Sequence, residues 1–349
     1  MRYKEGFTVW LEAKGGKVIG EEEARLLEAI SLFGSIMKAS RCLGISYAHA
    51  WALINRVQDA IGKPIVRTRK GGASKGGAEL TRYGRDLLER YLRLEERGER
   101  ALRIKKGRVM REPKLADLIV VGSDCPALRL LLEFVKRRSK VEYEYEVVGS
   151  SGGFAAIMMG DADLAGVHLL SEDGTYNEPF LRLYWLEGRA KLIGGYKRVQ
   201  GLMFRRGLKV GGMDDIFGMR FVNRNLGSGT RVLFDLRLKE LAKEKGVEFE
   251  ELASRIRGYE VEVRSHEEVA EAVRAGRADV GFGLECVAEE YGLGFVPLAE
   301  ERFDFLVRAD RIGKPSVSAF IRALRSGWFR RALKGLKGIK TYEKTGKFL

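Results

Sequence analysis

The chain has 349 residues, 45% of them hydrophobic, which points to two domains with ordinary globular interiors. Its formal net charge is +15, so an anionic partner is more natural than a cationic one. The three cysteines, Cys42, Cys125 and Cys286, are far apart and offer neither a disulfide framework nor a zinc site, and no apolar run approaches the roughly 18 residues of a membrane span.

Phe7 to Leu11 alternates, and Gly15-Gly16 followed by Lys17-Val18-Ile19 completes an expected hairpin. Glu21 to Phe33 places Leu26, Leu27, Ile30 and Phe33 on one helical face. A short helix with Ile36, Ala39 and Leu43 on its apolar stripe then meets a Gly44-Ile45-Ser46 turn. Ser46 can cap the longer helix that follows, whose stripe is Ala50, Leu53, Ile54 and Val57. Two short helices across a tight glycine turn predict a helix-turn-helix, which sets its second helix in a DNA major groove. Pro64 to Thr81 reads as two extended pieces around a basic, glycine-rich tip, the wing of a winged helix-turn-helix, with Arg67, Arg69, Lys70 and Lys75 placed to lie along phosphates. From Thr81 to about Lys106, a charged helix with Leu87, Leu88, Tyr91, Leu92, Leu94 and Leu102 suits dimerisation. Residues 1–114 hold 25 Lys and Arg against 14 Asp and Glu, so most of the excess charge lies in this third of the chain.

This unit resembles the N-terminal domain of the ModE family of molybdate-responsive transcription factors and, more distantly, the LysR type. The resemblance covers roughly residues 7–105. It rests on Leu26-Leu27-Glu28-Ala29-Ile30, Gly34-Ser35-Ile36, Leu43 to Tyr47, Ala50-Trp51, and Gly71-Gly72 through Leu80-Thr81-Arg82-Tyr83-Gly84. It departs at Met37, Lys38 and Cys42, where small apolar residues are usual. It implies a homodimer reading a two-fold site on double-stranded DNA. By position Ser46, Tyr47, His49 and Arg56 would project toward the groove, with Ser35 beside them. His49 reads equally as a base or phosphate contact and as a solvated surface histidine; Trp51 reads as core.

Residues 107–116 form an expected linker, which divides the chain into 1–106 and 117–349. Leu118 to Gly122 is a short apolar run of the kind found in buried parallel strands. Helical and strand-like segments then alternate: Ala127–Val135, Tyr143–Val148, Gly149-Ser150-Ser151-Gly152-Gly153 into a helix, and Asp163–Val167. Met219 to Asn223 and Ala278 to Gly283 repeat the strand pattern, and Leu226 to Arg231 opens a helix. Such alternation predicts a doubly wound α/β domain with ligands at the carboxyl ends of its strands. Ser123, Ser150, Ser151, Ser228 and Thr230 lie in turns before helices, where backbone N–H groups, the helix dipole and hydroxyls favour anions. No P-loop, HExxH or histidine cluster is present, and no catalytic residue or metal site is assigned.

Residues 118–308 resemble the periplasmic-binding-protein-like domain of regulators and of molybdopterin-biosynthesis fusions. The carrying residues are Gly122-Ser123-Asp124, Gly149 to Gly153, Ala162 to His168, Phe221 to Arg224 with Gly227 to Arg231, and Gly276 to Gly283. The resemblance implies two lobes, a hinge and a ligand in the cleft, with the chain crossing between lobes near 168–190 and returning near 265–300. Ligand contacts would come from Ser123, Asp124, Ser150, Ser151, Gly152, His168, Asn223, Gly227, Ser228, Gly229, Thr230, Arg231 and Glu285. His168 reads equally as a core or hinge histidine, and Arg231 as a solvated first-turn arginine. ModE proteins proper carry small OB-like molybdate-binding domains instead.

The expected fold class is therefore α/β with an N-terminal winged helix-turn-helix and a two-lobed periplasmic-binding-protein-like C-terminal domain. The expected function is a cytoplasmic transcriptional regulator that answers to a small oxyanion. Pairing a ModE-like reader with this sensor favours molybdate or tungstate; the scarcity of Gln and Asn and 32% charged residues resemble thermophile proteins and incline the choice to tungstate. No cofactor and no membrane partner is expected. The alternatives are a molybdenum-cofactor biosynthesis enzyme or accessory protein whose winged domain holds another protein, and a redox sensor built on Cys42.

Overall fold

The computed structural model describes residues 6–13, 15–68, 77–106 and 109–349. It divides into two compact units, residues 1–119 with 158–162, and residues 120–157 with 163–349.

In the first unit β1 (Leu11–Ala13) and β2 (Gly16–Ile19) form an antiparallel hairpin, which starts at Leu11 rather than Phe7. Helices α1 (Glu21–Phe33), α2 (Ile36–Leu43) and α3 (Tyr47–Ile61) follow. Ser35 caps α2 by accepting from the Lys38 N–H at 3.0 Å, and Ser46 caps α3 by accepting from His49 at 3.1 Å. Gly44 ends α2 in the left-handed region, φ 68°, which turns the chain sharply into α3. Leu26, Leu27, Ile30, Ile36, Ala39, Ala50, Leu53, Ile54 and Val57 are buried together as the core. The strands β3 (Val66–Thr68) and β4 (Ala78–Leu80) pair antiparallel as a wing, and α4 (Arg82–Leu102) leaves it. This is a winged helix-turn-helix. The tip residues Arg69, Lys70 and Lys75 lie outside the described residues.

The second unit is built on a nine-stranded sheet. Lobe one contains β5 (Leu118–Gly122), α5 (Pro126–Ser139), β6 (Tyr143–Val147), α6 (Gly149–Met159), β7 (Leu164–Val167) and α7 (Glu178–Leu183). The long β8 (Ala190–Phe204) leads to lobe two, which contains β9 (Phe221–Arg224), α8 (Gly229–Lys245), α9 (Phe249–Ser254), β10 (Glu262–Val263), α10 (His266–Arg274), β11 (Val280–Leu284) and α11 (Glu285–Glu290). The return strand β12 (Gly294–Arg308) pairs antiparallel with β8 over nearly its whole length. Helices α12 (Pro315–Leu324) and α13 (Gly327–Leu333) and the short β13 (Ile339–Lys340) complete lobe one, with β13 against β8.

Sheet order is β10-β9-β11-β8-β12-β7-β5-β6. Pairs β5–β7, β9–β11 and β9–β10 are parallel, while β8 and β12 run antiparallel to their neighbours. The sheet is therefore mixed where the sequence alone suggests a doubly wound one, and the lobe crossing lies in β8, later than residues 168–190. The cause is that β8 and β12 pair with each other across the hinge, a contact between distant segments. Phe221, Phe234 and Phe282 stack in the core of lobe two, and Leu128, Leu131, Phe154 and Leu164 are buried in lobe one.

Candidate functional site

On the first unit, the face expected to meet DNA is partly neutralised from within. His49 and Arg56 are exposed, but His49 Nε2 lies 2.7 Å from Glu22 Oε1, and Arg56 contacts Glu23. Arg67 on the wing donates to Glu79 at 2.8 Å. Tyr47 is placed otherwise than expected. It is fully buried, and its hydroxyl donates to Asp161 at 3.1 Å, so it presents nothing to a groove. The reason is helical phase: Tyr47, Ala50 and Ile54 share the inward face of α3. Ser35 is half-buried and also donates to Asp161, at 2.6 Å, where the Met37 N–H joins it at 3.3 Å. Burial pushes the Asp161 carboxyl up to about 6 against the pull of these donors.

In the second unit the strand register builds a buried polar cluster. On β8, Arg198 and Gln200 point to the same side, and Arg198 stands directly opposite Glu301 of β12. Glu301 accepts from Arg198, from Gln200 Nε2 at 2.5 Å, and from His168 Nδ1 at 2.9 Å, with all four side chains buried. Burial alone would raise the Glu301 carboxyl, but Arg198 and His168 hold it at about 2, so it is a carboxylate at neutral pH. His168 follows β7 and is held neutral chiefly by burial. Its backbone N–H donates to Ser150 Oγ at 3.0 Å, and Ser150 Oγ lies 2.7 Å from Ser123 Oγ.

Lobe two faces this cluster with the amino ends of α8 and α10. A Cβ on Gly229 would lie 2.4 Å from His168 Nδ1, so only glycine fits there. A Cβ on Gly149 would come within 3.2 Å of the Gly227 carbonyl, so the two lobes meet turn against turn. Beside these turns several buried polar atoms have no hydrogen-bond partner: Arg198 Nη2, Gln200 Oε1, Arg224 Nε, Thr230 Oγ1 and His266 Nδ1. Arg198, Arg224 and His266 act on one another electrostatically, Thr230 follows the Gly229 that abuts His168, and the unpartnered Glu267 Oε2 belongs to a carboxylate that also acts on Arg224. Burial, then Arg224, Arg198 and His168, hold the His266 imidazole well below its ordinary value, and burial with Arg198 lowers Arg224 to about 10. Arg224 stays a cation at neutral pH. Its Nη2 donates to the Arg264 carbonyl at 2.8 Å, and among the described residues it has no carboxylate within ion-pairing distance. The cluster thus presents donors, two helix amino ends and a buried cation that Asp124, Glu267 and Glu268 balance only from beyond ion-pairing distance, a combination suited to a desolvated anion.

Other expected contacts take different places. Asp124 is turned to Arg129 at 2.9 Å and to the Tyr145 hydroxyl at 3.1 Å, so its charge is met within lobe one. Asn223 donates to the Tyr259 carbonyl at 3.1 Å and accepts from the Arg224 N–H at 2.9 Å. Ser228 caps α8 by accepting from the Arg231 N–H at 3.1 Å. Arg231 is buried rather than solvated; it binds Asp235 and Glu262 at 3.0 and 3.1 Å and stacks 4.3 Å over Tyr259. Glu285 opens α11 away from the cluster and pairs with Lys337 at 3.7 Å. Ser151 and Gly152 are half-buried in the first turn of α6. Among the described residues no His, Cys, Asp and Glu group could hold a metal ion, and no helix is long and apolar enough to cross a membrane.

Sequence reasoning passed over Arg198, Gln200, Arg224, His266 and Glu301. The available signal was alternation: Tyr196, Arg198 and Gln200 share one side of a strand, interleaved with Lys197 and Val199.

Two α/β lobes bridged by a pair of long antiparallel strands, with a buried polar cluster where they meet, define a bilobal fold of the substrate-binding type. The chain belongs to the PBP-like family: the PBP superfamily domain matches residues 132–325, more than half of its length. It is 30% identical over 206 residues to the uncharacterized protein YvgK of Bacillus subtilis (strain 168), covering 58% of this chain and 63% of that one. It is 42% identical over 66 residues to the DNA-binding transcriptional dual regulator ModE of Escherichia coli (strain K12), covering 19% of this chain and 25% of that one. The chain thus spans less than two thirds of either relative. The fold is similar to that of a phosphate-transporter-type substrate-binding protein from Clostridium perfringens with bound phosphate, with a TM-score of 0.51 and 14% identity over 65% of this chain and 99% of that one.

Proposed function

We propose that this chain is a cytoplasmic, DNA-binding transcriptional regulator that senses a small oxyanion at the cluster of Arg198, Arg224, Thr230 and His266, and that it is not an enzyme. The observation that carries the reading is Arg224, a buried cation with no carboxylate at ion-pairing distance among the described residues, beside unpartnered polar atoms and two helix amino ends. Burying such a group is costly unless an anion completes it. The winged helix-turn-helix and the short match to a DNA-binding ModE regulator support duplex DNA as the partner of the first unit, with α4 as the dimerisation helix. Similarity to the molybdenum transport protein ModE of Azotobacter vinelandii inclines the choice of anion to molybdate or tungstate. Ser123, Ser150, Thr230, Gly227 and Gly229 would line the anion, while Ser151, Gly152 and His168 would border it. Ser46, His49, Arg56 and Arg67, joined by Arg69, Lys70 and Lys75, would meet DNA. Oxyanion binding alters DNA affinity only if the anion prefers one arrangement of the protein over another.

Isothermal titration with tungstate, molybdate, sulfate and phosphate tests the reading. Submicromolar binding of tungstate or molybdate, with a change in duplex affinity when the anion is added, is the expected result. No heat from any of the four overturns the oxyanion assignment.

A further inference from the structure

Outside the cleft, charge in the second unit is unevenly distributed. Residues 311–342 contain nine Lys and Arg and no Asp or Glu. Elsewhere in residues 115–349 the balance is acidic, with 29 Lys and Arg against 34 Asp and Glu. A solvated surface that needed charge only for solubility would not concentrate one sign in this way.

Five of the nine are answered within the fold. Arg311 and Lys314 reach Asp163 at 3.7 and 2.7 Å, Arg325 donates to the Gly346 carbonyl at 2.6 Å, Lys337 meets Glu289 at 3.2 Å, and Lys340 meets Glu300. The other four are Arg322 on α12, Arg330 and Arg331 on α13, and Lys334 at its end. All four are exposed, and none has an ion-pair partner among the described residues. Arg330 and Arg331 stand four and three residues before Lys334, which puts the three on one side of the helix.

A second element enlarges the face. Trp328 of α13 stacks on Phe134 of α5, with ring centres 3.9 Å apart and planes 12° apart, and so fixes α13 against α5. The end of α5 carries Lys136 to Lys140. Lys136 is paired with Glu142 at 2.9 Å and Arg137 lies 3.9 Å from Glu133, which leaves Arg138 and Lys140 exposed and without an ion-pair partner among the described residues. Like charges held on rigid elements repel one another, and that repulsion is relieved by a polyanion.

We propose that Arg138, Lys140, Arg322, Arg330, Arg331 and Lys334 form a second contact surface for the phosphate backbone of duplex DNA, separate from the winged unit and indifferent to sequence. It shares its partner with the function proposed above and adds a second place of contact. The aromatic pair Trp328 and Phe134 is committed to packing α13 on α5, and the groove beside Lys334 is also lined by Glu289 and Glu290, so the recognition rests on the exposed cations and is of phosphate spacing and not of bases.

The test uses the full chain and a random-sequence duplex, with affinity measured by fluorescence anisotropy over a salt series. The triple variant R330Q/R331Q/K334Q alters exposed positions only, and circular dichroism checks that helix content is kept. The slope of log affinity against log salt should flatten by about 2 to 3, because each phosphate contact contributes about 0.9. A parallel variant, R56Q/R67Q, reports on the winged unit. An unchanged slope and affinity in the triple variant, with weakened binding in R56Q/R67Q, overturns the second surface and leaves DNA binding by the first unit standing. Failure of the unaltered chain to bind the duplex overturns both.

Discussion

A guanidinium taken out of water needs a counter-charge, and the two buried arginines of the cleft differ in this respect. Arg198 has the Glu301 carboxylate opposite it in the strand register, so the pair is close to neutral. Arg224 donates to the Arg264 carbonyl at 2.8 Å and, among the described residues, meets no carboxylate at ion-pairing distance, with Asp124, Glu267 and Glu268 acting on it from farther away. Arg224→Met keeps most of the side-chain volume and removes the charge. Because a charge-assisted hydrogen bond contributes about 1.5–3 kcal/mol, the variant should lose at least tenfold in oxyanion affinity, read by calorimetry. Its ligand-free stability should hold or rise, since a buried cation with no carboxylate at ion-pairing distance is removed. Intact anion binding with a large fall in stability would make Arg224 a structural residue and remove it from the site.

At the scale of elements, the helix-turn-helix is pinned at its helix amino ends. Ser35, which caps α2, and Tyr47, which opens α3, both donate to Asp161, and residues 158–162 group with the first unit. Burial raises this carboxyl from 3.8 to about 6, so the folded state binds the proton more tightly than the unfolded chain. The contribution is therefore fully present below pH 3.8 and is lost as pH rises through about 6, a difference of about 3 kcal/mol. Asp161→Asn keeps the shape without the charge. Relative to the wild type, it should gain stability between pH 4 and pH 7 in urea unfolding, by about 3 kcal/mol. A constant difference across that range would mean that Asp161 is ionised throughout.

The elements most legible from sequence were those whose signals are local. Gly44 and Ser46 mark a turn and a cap by residue type alone, and the spacing of Ala50, Leu53, Ile54 and Val57 sets the buried face of α3. Ser123, Ser150, Ser151, Ser228 and Thr230 likewise stood out as residues suited to helix amino ends. Arg198, Gln200 and Glu301 did not, because their meaning depends on a pairing between residues 103 positions apart. In sequence, Lys197-Arg198 and Glu300-Glu301 look like solvated strand positions, and only the β8–β12 register turns one charge of each pair inward. Tyr47 failed in the opposite way. Its place at the head of the second helix suggested a groove contact, and helical phase turned it into the core.

At the scale of the whole molecule, the chain divides into two compact units, and this bears on how it should melt. Compact units can lose order in separate transitions, so scanning calorimetry should resolve two. A ligand held only by residues of the second unit raises only the transition of that unit. At a concentration of about 100 times Kd, the stabilisation is about 2.7 kcal/mol. Each kcal/mol shifts Tm by about 2–4 °C for a unit of roughly 150–250 residues, the range into which residues 120–157 and 163–349 fall. Tungstate or molybdate should therefore move one transition upward by roughly 5–11 °C and leave the other in place. Duplex DNA should act in the complementary way on the winged unit, and on both transitions if the α5–α13 face also binds phosphate. An oxyanion that shifts only the smaller unit would place its site in the winged domain. A single transition that moves as a whole would show that the two units unfold as one.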